Sequence, residues 1–289
     1  MSEVIVRPLA NHDIPPAWEM AHESLRTAGL AYGWDMPDLD DTRRTRGHQR
    51  LEHCLAHDPD GAWVADRAGE IVGIGAATRR GPLWFLSLLT VSTQAQSSGV
   101  GRRLLDATLQ SLGSAGALCA SDDPKALRRY RMAGFAIEPC YEAKGVLDRG
   151  ALPAVEGVRT ASYDNDRLFI EEIAAEQRGT GHGVDLDLWA ALGWPLFVTD
   201  TAAGRGYVVC TGSGVAVLGA TTHTAARALL WTALAESTED AHLMWLRHDQ
   251  LWAVDVALEA RLSLRPAGSF CTREAPGPMS AYIPNGAFG

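Results

Sequence analysis

The stretch from Leu88 to Leu105 runs Leu-Leu-Thr-Val-Ser-Thr-Gln-Ala-Gln-Ser-Ser-Gly-Val-Gly-Arg-Arg-Leu-Leu. Its pattern predicts an apolar strand, a short polar loop with two glycines, and an amphipathic helix that begins directly after the loop. A junction of this kind directs several free backbone N–H groups towards one point in front of the helix N-terminus. The stretch therefore predicts a binding loop for a phosphate or pyrophosphate group.

Strands and amphipathic helices alternate on both sides of this loop, which is typical of an α/β protein. For the first half of the chain, the patterns predict strands at 4–7, 62–66, 70–78, 83–91, 118–121, 135–139 and 142–147, and helices at 15–27, 41–57, 101–112 and 124–132. Residues 28–40, rich in Gly, Asp and Pro, are predicted to form a loop.

Residues 148–157 have the composition of a linker, and residues 158–289 repeat the order of elements of the first half. A strand at Val215–Ala220 and a helix at Ala225–Ala235 correspond to the strand and helix around the glycine loop. The sequence therefore predicts two domains, 1–147 and 158–289. The apolar C-terminal segment from Ala281 onwards is predicted to pack as a last strand.

Composition and charge exclude several classes of function. The formal net charge of −9 falls mainly on residues 151–289, which argues against nucleic-acid binding. No apolar run is long enough to cross a membrane, and the N-terminus lacks the pattern of a signal peptide. The five cysteines are widely spaced and suggest neither a disulfide framework nor a metal site, which favours a cytoplasmic location.

Two motifs in order carry a family resemblance. Residues 96–101 have the spacing Gln-x-x-Gly-x-Gly, and about thirty residues later Tyr130 begins a Tyr-x-x-x-Gly-Phe segment that ends at Phe135. Together they resemble the GCN5-related N-acetyltransferase (GNAT) family. The resemblance implies two tandem GNAT-like α/β domains, each with a mixed, mostly antiparallel sheet flanked by helices.

The resemblance also implies acetyl-CoA as co-substrate, bound through its pyrophosphate by the glycine loop. Tyr130 would protonate the leaving thiolate, a role suited to a phenol because its pKa lies near that of a thiol. The implied cofactor-binding residues are Leu89, Val91, Gln96, Ser97, Ser98, Gly99, Val100, Gly101, Arg102, Asp123 and Ala126.

A general base is missing from the expected place. The strand before the loop, Leu83–Val91, contains no carboxylate, although many family members have a glutamate there. Ser87 and Thr90 have hydroxyls that could order a water molecule, and Glu52 or His53 on the preceding predicted helix could accept a proton. The base is left unassigned.

The acceptor is predicted to be a small-molecule amine, bound by Tyr32 and Trp34 of the first loop and by His182 of the second half. Packing of the two loop aromatics against the second domain is an equal alternative. The second half lacks the Gly-x-Gly pattern and has Ala257 where Tyr130 stands, so it is predicted to bind no acyl-CoA. It would brace the fold or complete the acceptor site, and the tryptophans at 189, 194, 231, 245 and 252 are assigned to core packing.

Other interpretations of the sequence remain. The missing glutamate is compatible with an acyl-CoA sensor that binds without catalysis. Mycothiol synthases also carry tandem domains of this family, but their catalytic half is C-terminal, whereas the intact motifs here are N-terminal. The chain is expected to be a monomer or homodimer.

Overall fold

A computed structural model describes residues 3–33, 36–274 and 276–289 of the chain. It contains eight α-helices in these residues. Their bounds, in chain order, are α1 Ile14–Tyr32, α2 Asp41–His57, α3 Val100–Thr108, α4 Pro124–Met132, α5 Arg167–Arg178, α6 Asp185–Ala191, α7 His223–Glu236 and α8 Leu251–Glu259.

The same residues form thirteen strands. They are β1 Val4–Pro8, β2 Ala62–Arg67, β3 Glu70–Arg80, β4 Leu83–Val91, β5 Ala115–Ala120, β6 Ala136–Gly145, β7 Val158–Thr160, β8 Leu196–Thr201, β9 Gly204–Thr211, β10 Gly214–Ala220, β11 Ala241–Leu246, β12 Ser263–Arg273 and β13 Tyr282–Ile283.

The strands make two sheets. One has eight strands in the order β1-β2-β3-β4-β5-β12-β6-β11, and the other has five in the order β13-β10-β9-β8-β7. Neighbours are antiparallel except β4 and β5, which run parallel. The expected architecture of mostly antiparallel sheets flanked by helices is confirmed, but only the larger sheet is mixed, since all pairs of the smaller sheet are antiparallel.

The sequence order does not predict how the larger sheet is assembled. Strand β12 comes from the second half but lies between β5 and β6 of the first half, with Phe270 opposite both Cys119 and Glu138. Strand β6 in turn pairs with β11 of the second half. The division at 148–157 stays a prediction, because strands from both sides of it share one sheet.

The hydrophobic core crosses the same boundary. Phe85 of β4, Phe270 of β12 and Tyr282 of β13 are at most 1% exposed and belong to one buried cluster. Complete burial of a side chain of this size contributes about 1.5–3 kcal/mol. Packing across the two halves is therefore a main source of stability rather than a surface contact.

Several predicted elements have the observed bounds, and others differ. Strand β5 covers Ala115–Ala120 instead of 118–121, and α3 ends at Thr108 instead of 112. Helix α1 continues to Tyr32, where Gly33 ends it in a left-handed conformation (φ 77°), so Tyr32 lies on a helix and not in the loop. The two strands predicted at 135–139 and 142–147 are one strand, β6. The partner strand β12 has a bulge between Pro266 and Ser269, opposite Pro139–Tyr141 of β6, and β6 continues past Pro139.

No helix in the described part of the chain is long and apolar enough to cross a membrane.

Candidate active site

The main cleft lies where β4 and β5 separate. Their pairing covers Leu83 to Leu86 only, although β4 continues to Val91 and β5 to Ala120. A bulge at Ser87, which has no partner on β3 between the pairs of Leu86 and Leu88, marks the point of separation. Beyond it, the backbone of β4 is paired on one side and open on the other. The cleft has a volume of about 320 Å³.

The loop after β4 closes one end of this cleft with unsatisfied donors. None of the backbone N–H groups from Gln96 to Gly101 donates to another backbone group in the described part of the chain. Gly99 has φ 83° and precedes α3 without a side-chain cap, and Ser97 also has a positive φ of 64°. A row of free N–H groups at an uncapped helix N-terminus binds phosphate oxygens.

Arg129 supplies a charge beside this loop. Its guanidinium lies so near Gly101 that a Cβ there would be 2.8 Å from Nη1. By contrast, Arg102 is exposed outside the cleft, with its Nε 3.5 Å from Asp106 on the same helix. Arg102, the predicted arginine, therefore does not line the cleft, whereas Arg129 does. Ala126, Arg129 and Tyr130 share one face of α4, a spacing that could have indicated Arg129 from the sequence.

The predicted cofactor residues divide into two groups. Ser98 and Val100 point away from the cleft: the Ser98 hydroxyl donates to Ala95 O at 2.6 Å, and Val100, the first residue of α3, is buried. They shape the loop without lining the cleft. Those that line it are Leu89, Val91, Gln96, Ser97, Gly99, Gly101, Asp123 and Ala126.

Tyr130 lines the cleft with a hydroxyl that has no hydrogen-bond partner among the described residues. The residue is 6% exposed, and burial raises its pKa above the ordinary value of a tyrosine. A phenol of this kind stays protonated at neutral pH and can donate a proton. It can therefore serve as a general acid.

Tyr32 and Asp123 meet across the cleft. The Tyr32 hydroxyl donates to Asp123 Oδ1 at 3.1 Å, and the same oxygen accepts the backbone N–H of Lys125 at 2.9 Å. This contact joins the end of α1 to the N-terminus of α4. The other predicted acceptor aromatic, Trp34, lies outside the described residues.

The second half builds one wall of the cleft. Arg265 of β12 donates from Nε to Glu142 of β6 at 2.6 Å and from Nη2 to the carbonyl of Gly33 at 2.8 Å. Glu142 is 4% exposed and lines the cleft, so a carboxylate is present although the strand before the loop has none. Neither residue could be identified from local sequence, since β12 reaches this place only through the fold.

Trp245 adds an aromatic surface to the same wall. It has φ 62°, an uncommon conformation for an aromatic residue. A Cβ on Gly268 or Gly286 would come within 2.5 Å or 3.1 Å of its indole, so both glycines make room for the ring. The prediction that Trp245 is a core residue is wrong, because it lines the cleft.

His182 is not at the cleft, contrary to expectation. It is fully buried, with Nδ1 2.8 Å from Arg178 and Nε2 2.6 Å from the Tyr207 hydroxyl. Because the arginine can only donate, Nδ1 accepts and the Nε2–H donates to Tyr207. Burial and the nearby arginine hold the pKa of His182 well below its usual range. Its role is internal packing, not contact with an acceptor.

His53 also lies elsewhere. Its Nε2 is 2.8 Å from Asp185 Oδ1 of the second half, and Asp185 and Asp58 both accept from Arg80. All four side chains are at most 9% exposed. This buried network joins α2 to α6, so the role of His53 is structural. Glu52 is exposed and does not line the cleft.

The corresponding slot of the second half is filled by the chain itself. Strand β13 pairs with β10 through Gly219↔Tyr282, and the Asn285 side chain donates to Ala216 O at 3.2 Å. On its other side this segment accepts from Trp252 of α8, which donates to Ser280 O at 2.8 Å. The C-terminal segment therefore packs as a last strand, as predicted, and occupies the space beside β10.

The fold of the chain is similar to those of solved acetyltransferase and GNAT proteins, including a tandem GNAT protein. Over 99% of this chain and 96% of the other, the structure is similar (TM-score 0.77, 18% identity) to a Pyrococcus horikoshii protein described as a candidate acetyltransferase. A tandem GNAT protein from the clavulanic acid biosynthesis pathway, determined without AcCoA, matches over 96% and 99% (TM-score 0.58, 15%). A GCN5-related N-acetyltransferase from Sphaerobacter thermophilus matches over 95% and 96% (TM-score 0.56, 14%).

Residues 44–148 match the family model of the acetyltransferase (GNAT) domain. This segment, which contains β4, the glycine loop, α3 and α4, is therefore a GNAT domain, as its motifs predicted. None of the curated proteins compared with the chain matches it.

Proposed function

We propose that the protein is an N-acyltransferase that moves the acetyl group of acetyl-CoA to a primary amine of a small molecule. The observation that carries this proposal is the position of the Tyr130 hydroxyl. Among the described residues this hydroxyl has no hydrogen-bond partner, and it lies protonated in a cleft that opens between β4 and β5 and ends at the free N–H groups of residues 96–101. A GNAT domain over the same residues supports acyl-CoA-dependent acyl transfer.

In this proposal, the loop and Arg129 hold the pyrophosphate, and the open edge of β4 at Leu88–Val91 binds the pantetheine arm. A backbone N–H of this edge stabilises the oxyanion that forms when the amine attacks the thioester carbon. The carbon–sulfur bond then breaks, and Tyr130 gives its proton to the departing thiolate. Amide and free CoA leave.

Direct attack by the amine fits the chemistry of the cleft better than an acyl-enzyme. Cys119 lines the cleft, but burial raises its pKa well above the ordinary value, so the thiol is not ionised at neutral pH. A protonated thiol is a poor nucleophile. The buried carboxylate of Glu142 is our candidate for taking the proton that the amine loses.

Two measurements test the proposal. Acetyl-CoA is titrated calorimetrically into the protein and into Gly101→Trp, whose side chain would fill the space beside Arg129; we expect micromolar binding that the variant loses. Release of free CoA thiol is then measured across a panel of amines. Binding that the variant retains would refute the cofactor site. Binding without thiol release for any amine would instead indicate a sensor.

A further inference from the structure

Arg50 of α2 faces the cleft in an unusual setting. Its Nε donates to Ser87 Oγ at 3.0 Å, and Nη2 donates to the carbonyl of Ser87. Ser87 is the bulge residue at which β4 separates from β5. The guanidinium is therefore anchored at the point where the cleft opens.

The charge of Arg50 is not balanced by the described residues. None of their carboxylates lies within ion-pair distance of it, and Nη1 has no hydrogen-bond partner among them. Desolvation accordingly lowers the pKa of Arg50. Arg265, which lines the same cleft, is instead paired with Glu142 at 2.6 Å. An unpaired, desolvated guanidinium is costly unless a bound anion completes it.

In the proposed function, the pyrophosphate of the cofactor does not supply this anion. Its pyrophosphate belongs at residues 96–101 with Arg129, at the end of the cleft closed by the loop and α4. Arg50 lies on α2, and the cleft residues contributed by the neighbouring helix α1 are Ser24, Leu25, Ala28 and Tyr32. The group that meets Arg50 must therefore come from the acceptor.

We propose that the acceptor amine carries a carboxylate and that Arg50 binds this carboxylate; the substrate class is an amino acid or a similar amino carboxylate. A planar guanidinium with free N–H donors matches a carboxylate in shape and charge. Ser87 holds the guanidinium in place so that little side-chain freedom is lost on binding. This inference rests on the proposed function and specifies its substrate.

The test compares matched acceptors at saturating acetyl-CoA. Values of kcat/KM are measured for phenylalanine, its amide and phenethylamine, and for lysine, its amide and cadaverine. We expect the better amino acid to exceed its amide and its decarboxylated amine by about 10–100-fold, as for the loss of a charged hydrogen bond. In Arg50→Gln this ratio falls to near one, and Arg50→Lys restores part of it.

Arg46→Gln is the matched control. Arg46 lies one turn earlier on α2 and is exposed, so this variant keeps the wild-type ratio. Equal preference of the wild type for amine and amino acid, or an equal loss for all acceptors in Arg50→Gln, would overturn the inference. The proposed function would still stand if amines release CoA. Absence of acetyl-CoA binding would remove the function itself.

Discussion

The two halves of the molecule treat the same structural position in opposite ways. Within the described part of the chain, helix α3 begins without a side-chain cap, after a loop whose N–H groups are free. Helix α7, its counterpart in the second half, begins after the cap residue Thr222, whose hydroxyl accepts the N–H of Ala225 at 3.1 Å. The N-terminus of α3 has free N–H groups among the described residues, and that of α7 is satisfied by its own sequence.

The neighbouring slots differ in the same way. The space beside β4 is an open cleft, whereas the space beside β10 holds β13. Retention of the elements therefore does not imply retention of the site. A phosphate site needs unsatisfied donors, and a stable fold favours satisfying them, so a duplicated domain without a ligand is expected to acquire caps and internal packing.

The largest effect is expected from separating the halves. Residues 1–157 alone lack β12, which leaves β5 and β6 without their common partner. We expect no cooperative thermal transition and no acetyl-CoA binding, measured by circular dichroism and calorimetry. Co-expression with residues 158–289 should restore both. A monomeric 1–157 fragment that binds acetyl-CoA like the whole chain would show that the exchanged strand is dispensable.

Two tyrosines allow a reciprocal test of the halves. Tyr130→Phe removes an unpaired hydroxyl, so we expect kcat to fall about 100-fold with little change in acetyl-CoA affinity or melting temperature. Tyr207→Phe leaves the buried Nε2–H of His182 unpaired and should cost about 1–3 kcal/mol without changing kcat.

The pH dependence sharpens this test. Burial raises the pKa of Tyr130, so the acid form persists up to a higher pH than for a free tyrosine. Between pH 6 and 9 the rate should rise as the acceptor amine deprotonates, with no alkaline decline caused by Tyr130. A decline in that range that Tyr130→Phe abolishes would contradict the raised pKa.

Arg129 and Arg102 form a matched pair beside the loop. We expect Arg129→Gln to weaken acetyl-CoA binding about tenfold or more, because a charged hydrogen bond contributes about 1.5–3 kcal/mol. Arg102→Gln should leave the dissociation constant unchanged, since its side chain is 77% exposed and pairs with Asp106. Equal effects of both, measured calorimetrically at two salt concentrations, would indicate a diffuse charge effect instead.

The smallest expected effect concerns the cap of α7. Thr222→Ala should lower the free energy of unfolding by about 1 kcal/mol, with acetyl-CoA affinity unchanged. Thr224→Ala is the control, because Thr224 is exposed in the first turn. A gain of a second acetyl-CoA site in Thr222→Ala would show that the cap, rather than β13, is what closes the second half.

The sequence predicted correctly those helices whose ends are set by neighbouring residues. Helix α2 begins after Asp40, which accepts the N–H of Arg43 at 2.7 Å, and α4 begins at Pro124 after the cap residue Asp123. Their predicted bounds agree with the structure. The loop at 96–101 is predictable for the same reason, because its glycines determine the backbone conformation at their own positions.

What local sequence did not predict depends on distant partners. The exchange of β12 is a choice between strands that look alike in isolation, because periodicity reports a buried face and not the neighbour. The positions of Arg50 and Glu142 in the cleft depend on their hydrogen bonds to Ser87 and Arg265, which are distant in the sequence. The sequence shows that residue 245 is a tryptophan but not what surrounds it, so Trp245 was predicted to lie in the core.

The position of β12 in the chain also determines when the larger sheet can be completed during synthesis. Ser269 pairs with Ala120, about 150 residues earlier in the chain. At synthesis rates of roughly 5–20 residues per second, β5 emerges roughly 7 to 30 seconds before its partner exists. Until then, the edge of β5 that later pairs with β12 has no neighbouring strand and is open to pairing with other chains. We therefore expect the incomplete chain to need chaperones during synthesis. The yield of folded protein should depend on chaperones, whereas the stability of the finished protein should not.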